Sequence, residues 1–366
     1  MEPTTLRAEK DLLPSADGER YASGPPSPSH VGNGPRSSGS HSSPWAQVDG
    51  NFGTTTVNLI FFGTDDFPVP SLNALAESEF RPSLVVSKPD SPRGRGRKIY
   101  PQKIRLVSET LEIPCEQPLD VLDPEFMEKL RSLKPDIFVV VSYGRILSQE
   151  FLDIPSKYCL NVHASLLPLY RGAAPVQQAI LHGDPSSGVT IMKIVKKLDA
   201  GPILLKKETE IGKNETAGEL FTRLAGLGGE ALLEALQLIK EGKETFVEQD
   251  ESKATYAPKL VKEDGFIDWK RPAQEIHNLV RAFTPKPAPR TRFGPRKLII
   301  LEGRVEEDNF GLDEPGRVLT AGEEGIRVCT GDGIYRIRGL KPENGRKMTA
   351  GEFVRGHRFP IDARFG

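Results

Sequence analysis

Cysteine is scarce in this chain. Its three cysteines, Cys115, Cys159 and Cys329, lie too far apart for Cys-x-x-Cys metal pairs or for the dense disulfide framework of a small secreted domain, so a reducing compartment is expected. Long apolar runs are missing as well: none approaches the roughly 18 residues of a spanning helix, and no membrane association is expected. Charge of one sign is not in excess either. With 49 Lys+Arg against 50 Asp+Glu the formal net charge is -1, which excludes a uniformly basic nucleic-acid binder and requires any RNA contact to come from a local patch. His163 and Asp199 lack further ligands at zinc-like spacing, so no metal is expected.

What remains is 366 residues at 37% hydrophobic and 27% charged content, the profile of a globular protein with room for two domains. The first 55 residues read as a disordered extension. They are rich in Ser, Gly and Pro, as in Ser23-Gly-Pro-Pro-Ser-Pro-Ser29, and have little to bury. Glu2, Glu9, Asp11, Asp17 and Glu19 argue against an acid-poor transit peptide, and the apolar core of a secretory signal is lacking. A cytoplasmic location is expected, with a mitochondrial or plastid matrix as the alternative.

From residue 56 the pattern is that of alternating strands and helices. Val57–Gly63 is an apolar run stopped by Gly and followed by Thr64-Asp65-Asp66, a βα unit. A short strand is predicted over Ser83–Lys88, then a loop containing Arg93-Gly-Arg-Gly-Arg-Lys98. Asp123-Pro124 supplies an N-cap and an N1 proline for a helix to about Leu133, and Asp136–Val141 suits a strand covered on both faces. Further strands are predicted over Tyr158–Val162, Gly188–Val195 and Ile203–Glu210, with helices over Ala174–Leu181 and Glu215–Lys240. This is an α/β domain, residues 56–241, built on a mainly parallel sheet. The polar, aperiodic stretch 242–261 reads as a linker. Residues 262–366 begin with Gly265-Phe-Ile-Asp-Trp269 and one helix, Ala273–Ala282, and continue as short β runs such as Lys297–Leu301 and Gly333–Arg338, which suggests a small β-barrel. From Lys259 onward there are 21 Lys+Arg against 16 Asp+Glu, a balance of +5, so positive charge concentrates in this part.

Asn161 and His163 stand two apart at the end of a predicted buried strand, so their side chains share a face. In an open α/β sheet, the carboxyl ends of the strands are where ligands bind. Leu198-Asp-Ala-Gly-Pro202 offers Asp199, held by a Gly-Pro turn, as a third polar partner. Taken singly, each residue has an ordinary reading: Asn161 capping a turn, His163 hydrogen-bonded in the core, Asp199 starting an Asx-turn.

The order of segments is more specific than any one of them. Asn161-Val-His-Ala-Ser-Leu-Leu-Pro168, Tyr170-Arg-Gly-Ala-Ala-Pro175, Gly188-Val-Thr-Ile-Met192 and Leu198-Asp-Ala-Gly201 together resemble the signature of the folate-dependent formyltransferases. Phe62-Gly-Thr-Asp-Asp-Phe67 and Val141-Ser-Tyr-Gly144 resemble that family's folate-site segments, and the resemblance runs from about Val57 to the C-terminus. It implies a Rossmann-like catalytic domain followed by a small OB-like β-barrel, with Asn161, His163 and Asp199 as the catalytic triad and 10-formyltetrahydrofolate as formyl donor. Formyl transfer is acyl transfer. Donors from the Asn161 amide and a protonated His163 suit the oxyanion that forms, while Asp199 would orient the imidazole and receive the amine's proton. Ser165, Leu166, Leu167 and Pro168 are implied to line the folate pocket, as are Phe62, Gly63, Val141, Tyr143 and Gly144, although the hydrophobic members among the latter equally suit the core.

The same chemistry serves amino-sugar, ribonucleotide and tRNA acceptors. The basic loop at Lys88–Tyr100 resembles the insertion with which the tRNA-directed members of the family enter an acceptor stem, which implies RNA contacts by Arg93, Arg95, Arg97 and Lys98, with Arg95 matching the key arginine. The basic C-terminal part resembles the same members' RNA-binding barrel. The implied acceptor is initiator methionyl-tRNA and the implied state a monomer. Three departures stand out: Leu169 follows Leu-Leu-Pro where a basic residue is common, Lys286 replaces a Trp in Arg281-Ala-Phe-Thr-Pro-Lys-Pro287, and Lys196-Lys197 precedes Leu198. The second bears on domain packing, the third on the electrostatics near Asp199. The rivals are a sugar-nucleotide formyltransferase, against which the arginine-rich loop speaks, and a non-catalytic α/β or RNA-binding module, against which the complete triad speaks. Gly63-Thr-Asp-Asp is not a dinucleotide-binding glycine motif.

Overall fold

A computed structural model describes residues 57–93, 98–306, 314–357, 359–360 and 362–366. The expected disordered extension, 1–55, and Arg95 and Arg97 in the basic loop lie outside the described residues.

Leu59–Gly63 forms β1, buried along its whole length, and leads into α1 (Val69–Ala76). β2 (Leu84–Val86) pairs parallel to β1. The segment expected as a basic loop is instead a hairpin, β3 (Ser91–Arg93) against β4 (Lys98–Tyr100), with Pro92 opposite Ile99. Its base explains why the two arms run together. Asp90 accepts hydrogen bonds from the Gln102 N–H at 3.1 Å, from Gln117 Nε2 at 2.9 Å and from Arg105 Nη1 at 2.5 Å, and these hold the entry and exit of the hairpin side by side. α2 (Lys103–Thr110), β5 (Cys115–Glu116) and α3 (Pro124–Ser132) follow. The Asp123 carboxylate caps α3 by accepting from the Glu125 and Phe126 N–H groups, both at 3.1 Å, as the Asp-Pro pair predicts.

β6 (Ile137–Val141) is fully buried; after α4 (Gln149–Leu152) come β7 (Tyr158–His163), the two-residue β8 (Arg171–Gly172), α5 (Pro175–His182), β9 (Ser186–Lys193), β10 (Ile203–Glu210) and α6 (Ala217–Lys240). A capping box between Thr216 and Glu219 starts α6. The sheet runs β10-β9-β7-β6-β1-β2-β5. Pairing is parallel from β7 to β5, while β9 is antiparallel to β7 and β10 to β9. Chain order departs in opposite directions from β1, toward β2 on one side and β6 on the other, so the carboxyl ends of β1 and β6 flank a topological switch point, with β7 beside them.

The second body begins with α7 (Ala273–Ala282) and continues through β12 (Arg290–Phe293), β13 (Arg296–Glu306), β14 (Val318–Gly322), β15 (Gly325–Cys329), β16 (Ile334–Pro342), β17 (Met348–Thr349) and α8 (Ala350–Arg355) if β11 (Tyr256–Ala257), in the stretch before it, is counted first. The antiparallel order is β12-β13-β16-β15-β14, with β17 on β16. The chain's last residues close the sheet: Phe365 bridges to Phe293 beside β12, and Arg364 bridges to Arg317 beside β14. Trp269, Tyr335 and Phe365 fill the interior, the indole Nε1 donating to Thr291 Oγ1 at 2.9 Å.

The two bodies pack through α5 and α7. Arg281 donates to the Gly212 carbonyl at 3.3 Å, and the Gly218 N–H, at the start of α6, donates to the Thr284 carbonyl at 3.1 Å. Lys286 is exposed, so the departure at that position leaves the packed part of the interface intact. The stretch read as a linker, 242–261, is not a free tether. Val247 exchanges both backbone hydrogen bonds with Ile203, each at 2.8 Å, and β11 pairs parallel with β8. Its polar, aperiodic sequence reflects a segment that binds the α/β body through side-chain and backbone polar groups. Among the described residues no helix is long and apolar enough to cross a membrane.

Candidate active site

β7 puts Asn161 opposite Val140 of β6 and Met192 of β9, and ends at His163 opposite Thr190. His163 Nε2 donates to the Tyr170 carbonyl at 3.0 Å, which turns Nδ1 toward Asp199. Asp199 Oδ2 lies 3.6 Å from that Nδ1, within ion-pair range but longer than a hydrogen bond, and the side chains are only 7% and 14% exposed. The same Oδ2 accepts the Gly172 N–H at 2.8 Å. Sequence reasoning thus brings Asn161, His163 and Asp199 to one place, and the structure adds Tyr170 and Gly172 as the backbone groups that orient the imidazole and the carboxylate.

Three non-glycine residues around this cleft hold left-handed backbone: Ser142 (φ 46°), Tyr170 (φ 62°) and Asp199 (φ 48°). Such conformations cost of order 1–3 kcal/mol and persist only where the surroundings enforce them. Asp199 shows the enforcement most fully. Gln249 Nε2 donates to the Asp199 and Gly201 carbonyls, both at 2.8 Å, and Gln249 Oε1 accepts from Arg171 Nε and Nη2 at 3.1 and 2.8 Å. Arg171 is fully buried, and its guanidinium also meets Glu251 in two parallel bonds of 3.1 and 3.0 Å. Lys197 donates to Glu251 at 2.6 Å, so its charge is taken up by that carboxylate. Together Arg171 and Lys197 draw the Glu251 pKa down to about 2.

The Ser165–Pro168 turn is sewn to the sheet beneath it. Ser165 Oγ donates to the Leu169 carbonyl at 2.6 Å; Thr190 Oγ1 donates to the Ser165 carbonyl at 2.7 Å and accepts from the Leu167 N–H at 3.1 Å. Lys206 donates to the Leu167 carbonyl. Leu167 is buried against Met192 and Ile203, which leaves Leu166 and Pro168, half-buried, as the members able to face a ligand.

The other implied pocket residues divide. Phe62 and Tyr143 pack with Phe138 and Phe151 in the core, and Val141 is fully buried. Their side chains are buried in this core, and burial pushes the Tyr143 hydroxyl up to about 12. Gly63 is also buried. Gly144, exposed and at φ 63°, has the Lys88 ammonium 2.7 Å from where a Cβ would stand. Burial lowers the Lys88 pKa, opposed by the charge of Asp65 and assisted by that of Arg145. Sequence reasoning did not single out Lys88, Arg171, Thr190 or Gln249. Arg171 sits inside a quoted motif; Gln249, in an aperiodic polar run, carries no sequence signal.

Cys159, on β7 near Asn161, is no competing nucleophile. Its thiol donates to the Leu152 carbonyl at 3.4 Å, and burial pushes its pKa up to about 12. Arg93 and Lys98 face each other in the hairpin register. In the second body several basic groups are spent internally: Arg327 and Arg336 both pair with Glu306. Arg292, Arg296 and Lys297 are exposed about the β12–β13 turn, where the Lys297 ammonium lies 3.9 Å from Glu343, and Arg346 and Lys347 are exposed between β16 and β17.

Comparison with known families decides what this arrangement belongs to. The formyl transferase family model matches residues 57–236, and the model of the formyl transferase C-terminal domain matches 259–358. The chain belongs to the formyltransferase family. Its relatives include a methionyl-tRNA formyltransferase of Moorella thermoacetica, 40% identical over 301 residues, covering 82% of this chain and 96% of the relative. Another, of Halorhodospira halophila, is 42% identical over 300 residues, again 82% and 96% of the two chains. Among solved structures, an N-formyltransferase of Helicobacter canadensis in complex with folinic acid and dTDP-3-aminofucose aligns with a TM-score of 0.61 at 22% identity, over 80% of this chain and all of that one. HypX of Aquifex aeolicus in complex with tetrahydrofolic acid aligns at 0.55 and 19% identity, over 85% and 51%. At these identities the structural likeness speaks for the formyltransferase fold.

Proposed function

We propose that the protein transfers the formyl group of 10-formyltetrahydrofolate to the α-amino group of methionine on initiator methionyl-tRNA. The observation that carries the reaction is Asp199 held beside His163, with Asn161 one register step away on the same strand face, at the carboxyl end of β7. Leu166 and Pro168 with the peptide groups of their turn suit a flat folate, and the bound donor supplies a formyl carbon open to attack by an amine. The chain's own residues do the rest. The Asn161 amide donates to the formyl oxygen as it gains charge, and His163 Nδ1, when protonated, is a second donor in a site with little water. Asp199 accepts the Gly172 N–H at Oδ2 and has Oδ1 to take the proton from the attacking amine, directly or through water; as the tetrahedral adduct collapses, the bond from the formyl carbon to the folate nitrogen breaks and that proton passes to the departing nitrogen. The 3.6 Å gap between His163 and Asp199 leaves room for tightening when substrate is bound.

For the acceptor, the support is the naming of the relatives at about 40% identity, the basic sequence Arg93-Gly-Arg-Gly-Arg-Lys98, and exposed Arg292, Arg296 and Lys297 on the C-terminal barrel. Guanidinium and ammonium groups at two separate places suit the phosphates of an extended RNA better than a single sugar nucleotide. The test is formyl incorporation from 10-formyltetrahydrofolate into methionyl-initiator tRNA, beside methionylated elongator tRNA and a nucleotide-linked amino sugar. Incorporation confined to initiator tRNA is expected. Transfer to the sugar alone keeps the catalytic trio and overturns the acceptor.

A further inference from the structure

We propose that Gln249 is a positioning residue for Asp199, and that residues 247–257 form a strap that holds the catalytic carboxylate in its left-handed backbone. The inference rests on the formyl-transfer reading for what Asp199 does, and on geometry for how it is held. One primary amide spans the gap: its two N–H bonds go to the carbonyls of Asp199 and Gly201, and its oxygen receives the Arg171 guanidinium. Gln249 is 9% exposed and Arg171 fully buried, so each bond acts in a site where an unmade hydrogen bond is costly.

Beyond the strap, the loop is tied by the Gly172 N–H to Asp199 Oδ2 at 2.8 Å and by the Lys193 N–H to the Pro202 carbonyl at 2.9 Å; neither bond reaches the Asp199 backbone. A strand or helix would fix Asp199 through its own ladder, but φ 48° takes the residue out of both. The strap replaces that ladder with side-chain donors. It also reaches the second catalytic group. The Tyr170 N–H donates to Thr255 Oγ1 at 2.8 Å and the Arg171 N–H to the Thr255 carbonyl at 2.9 Å, which fixes the peptide whose carbonyl receives His163 Nε2. Gly172, whose N–H meets Asp199, approaches the Ala257 carbonyl so closely that a Cβ would stand 2.6 Å from it, and φ 122° admits only glycine with ease. Arg171 therefore joins three things: the loop of Asp199 through Gln249, the strap through Glu251, and the carbonyl that orients His163.

A residue acting in this way affects turnover more than binding. In Gln249→Met, which keeps the volume and removes all four hydrogen bonds, kcat is expected to fall about 10–100-fold, the scale of a misplacement near 1 Å, with KM for folate and for the acceptor nearly unchanged. Gln249→Glu keeps an acceptor for Arg171 but sets a carboxylate oxygen against the Asp199 and Gly201 carbonyls, so it is expected to lose at least as large a factor in kcat. The decisive measurement is a double-mutant cycle with Asp199→Asn. If Gln249 acts through Asp199, its substitution has little further effect once the carboxylate is gone; if the two losses multiply, the proposal is overturned. Hydrogen exchange supplies a readout that needs no acceptor. Faster exchange confined to residues 196–203 in Gln249→Met supports the strap even if the acceptor proves to be something other than tRNA, whereas unchanged exchange there, or loss of protection throughout the sheet, refutes it.

Discussion

At the scale of single residues, the site is a set of buried groups held by named partners. His163 has a defined orientation because the Tyr170 carbonyl takes its Nε2 proton, and Asp199 because the Gly172 N–H takes its Oδ2. In the proposed mechanism the Asn161 amide has a different task, since its donor is needed only when negative charge develops. Asn161→Ala is expected to reduce kcat by about 10²–10³ with folate binding retained, measured by steady-state formyl transfer alongside equilibrium folate binding; near-native turnover would remove Asn161 from the mechanism. That Asn161 and His163 share a face was legible from their spacing on one strand, whereas Asp199 could be joined to them only through the resemblance of the surrounding motifs. Phe62 and Tyr143 were not separable from pocket residues in this way, because a motif preserves an aromatic for its packing as readily as for contact with a ligand, and only the cluster with Phe138 and Phe151 decides between the two.

At the scale of elements, what could be read in the sequence was whatever is specified locally. Asp123-Pro124 states the start of α3 within a few residues, and α7 spans Ala273–Ala282 as its periodicity predicts. β8 and β11 are two residues each and find one another across a separation of 85 residues, so neither has a pattern of its own. The β3–β4 hairpin is an intermediate case: its basic character is plain, but its pairing depends on Asp90 reaching forward to Gln102, Arg105 and Gln117. Replacing Arg95 by Ala is expected to raise KM for the RNA acceptor, leave KM for folate unchanged, and reduce the slope of log affinity against log salt by about 1 for a lost phosphate contact. Salt titration of acceptor binding by both proteins checks this, and an unchanged slope would place Arg95 away from phosphate.

At the scale of the whole molecule, the junction between the two bodies carries a titratable group. His277 on α7 has Nε2 near the Asn214 side chain at 3.1 Å, while Nδ1 is buried and finds no hydrogen-bond partner among the described residues. Burial lowers its pKa from 6.5, with the backbone carbonyl of Lys213 opposing and the charge of Arg281 assisting. The folded state therefore prefers the neutral ring. As pH falls past 6.5 the unfolded chain takes up the proton first, so the stability due to this residue is complete above that value and is lost as pH falls through the lower folded value. Wild-type Tm should drop more steeply between pH 7 and 5 than that of His277→Gln, measured by thermal unfolding; parallel profiles would mean that His277 does not sense pH. Glu251, with its pKa drawn down to about 2, keeps its charge throughout that range.

The strap also bears on how such a chain can be divided and recombined. The two family models stop at residue 236 and resume at 259, and Gln249, Glu251 and Thr255 fall in the interval between them. A chimera joined at residue 236 would receive its catalytic loop from one parent and the amide that clasps it from another. Exchange of the C-terminal barrel between relatives is therefore expected to succeed when the crossover is placed after Ala257, where the barrel can be replaced without loosening the hold on the Asp199 carboxylate.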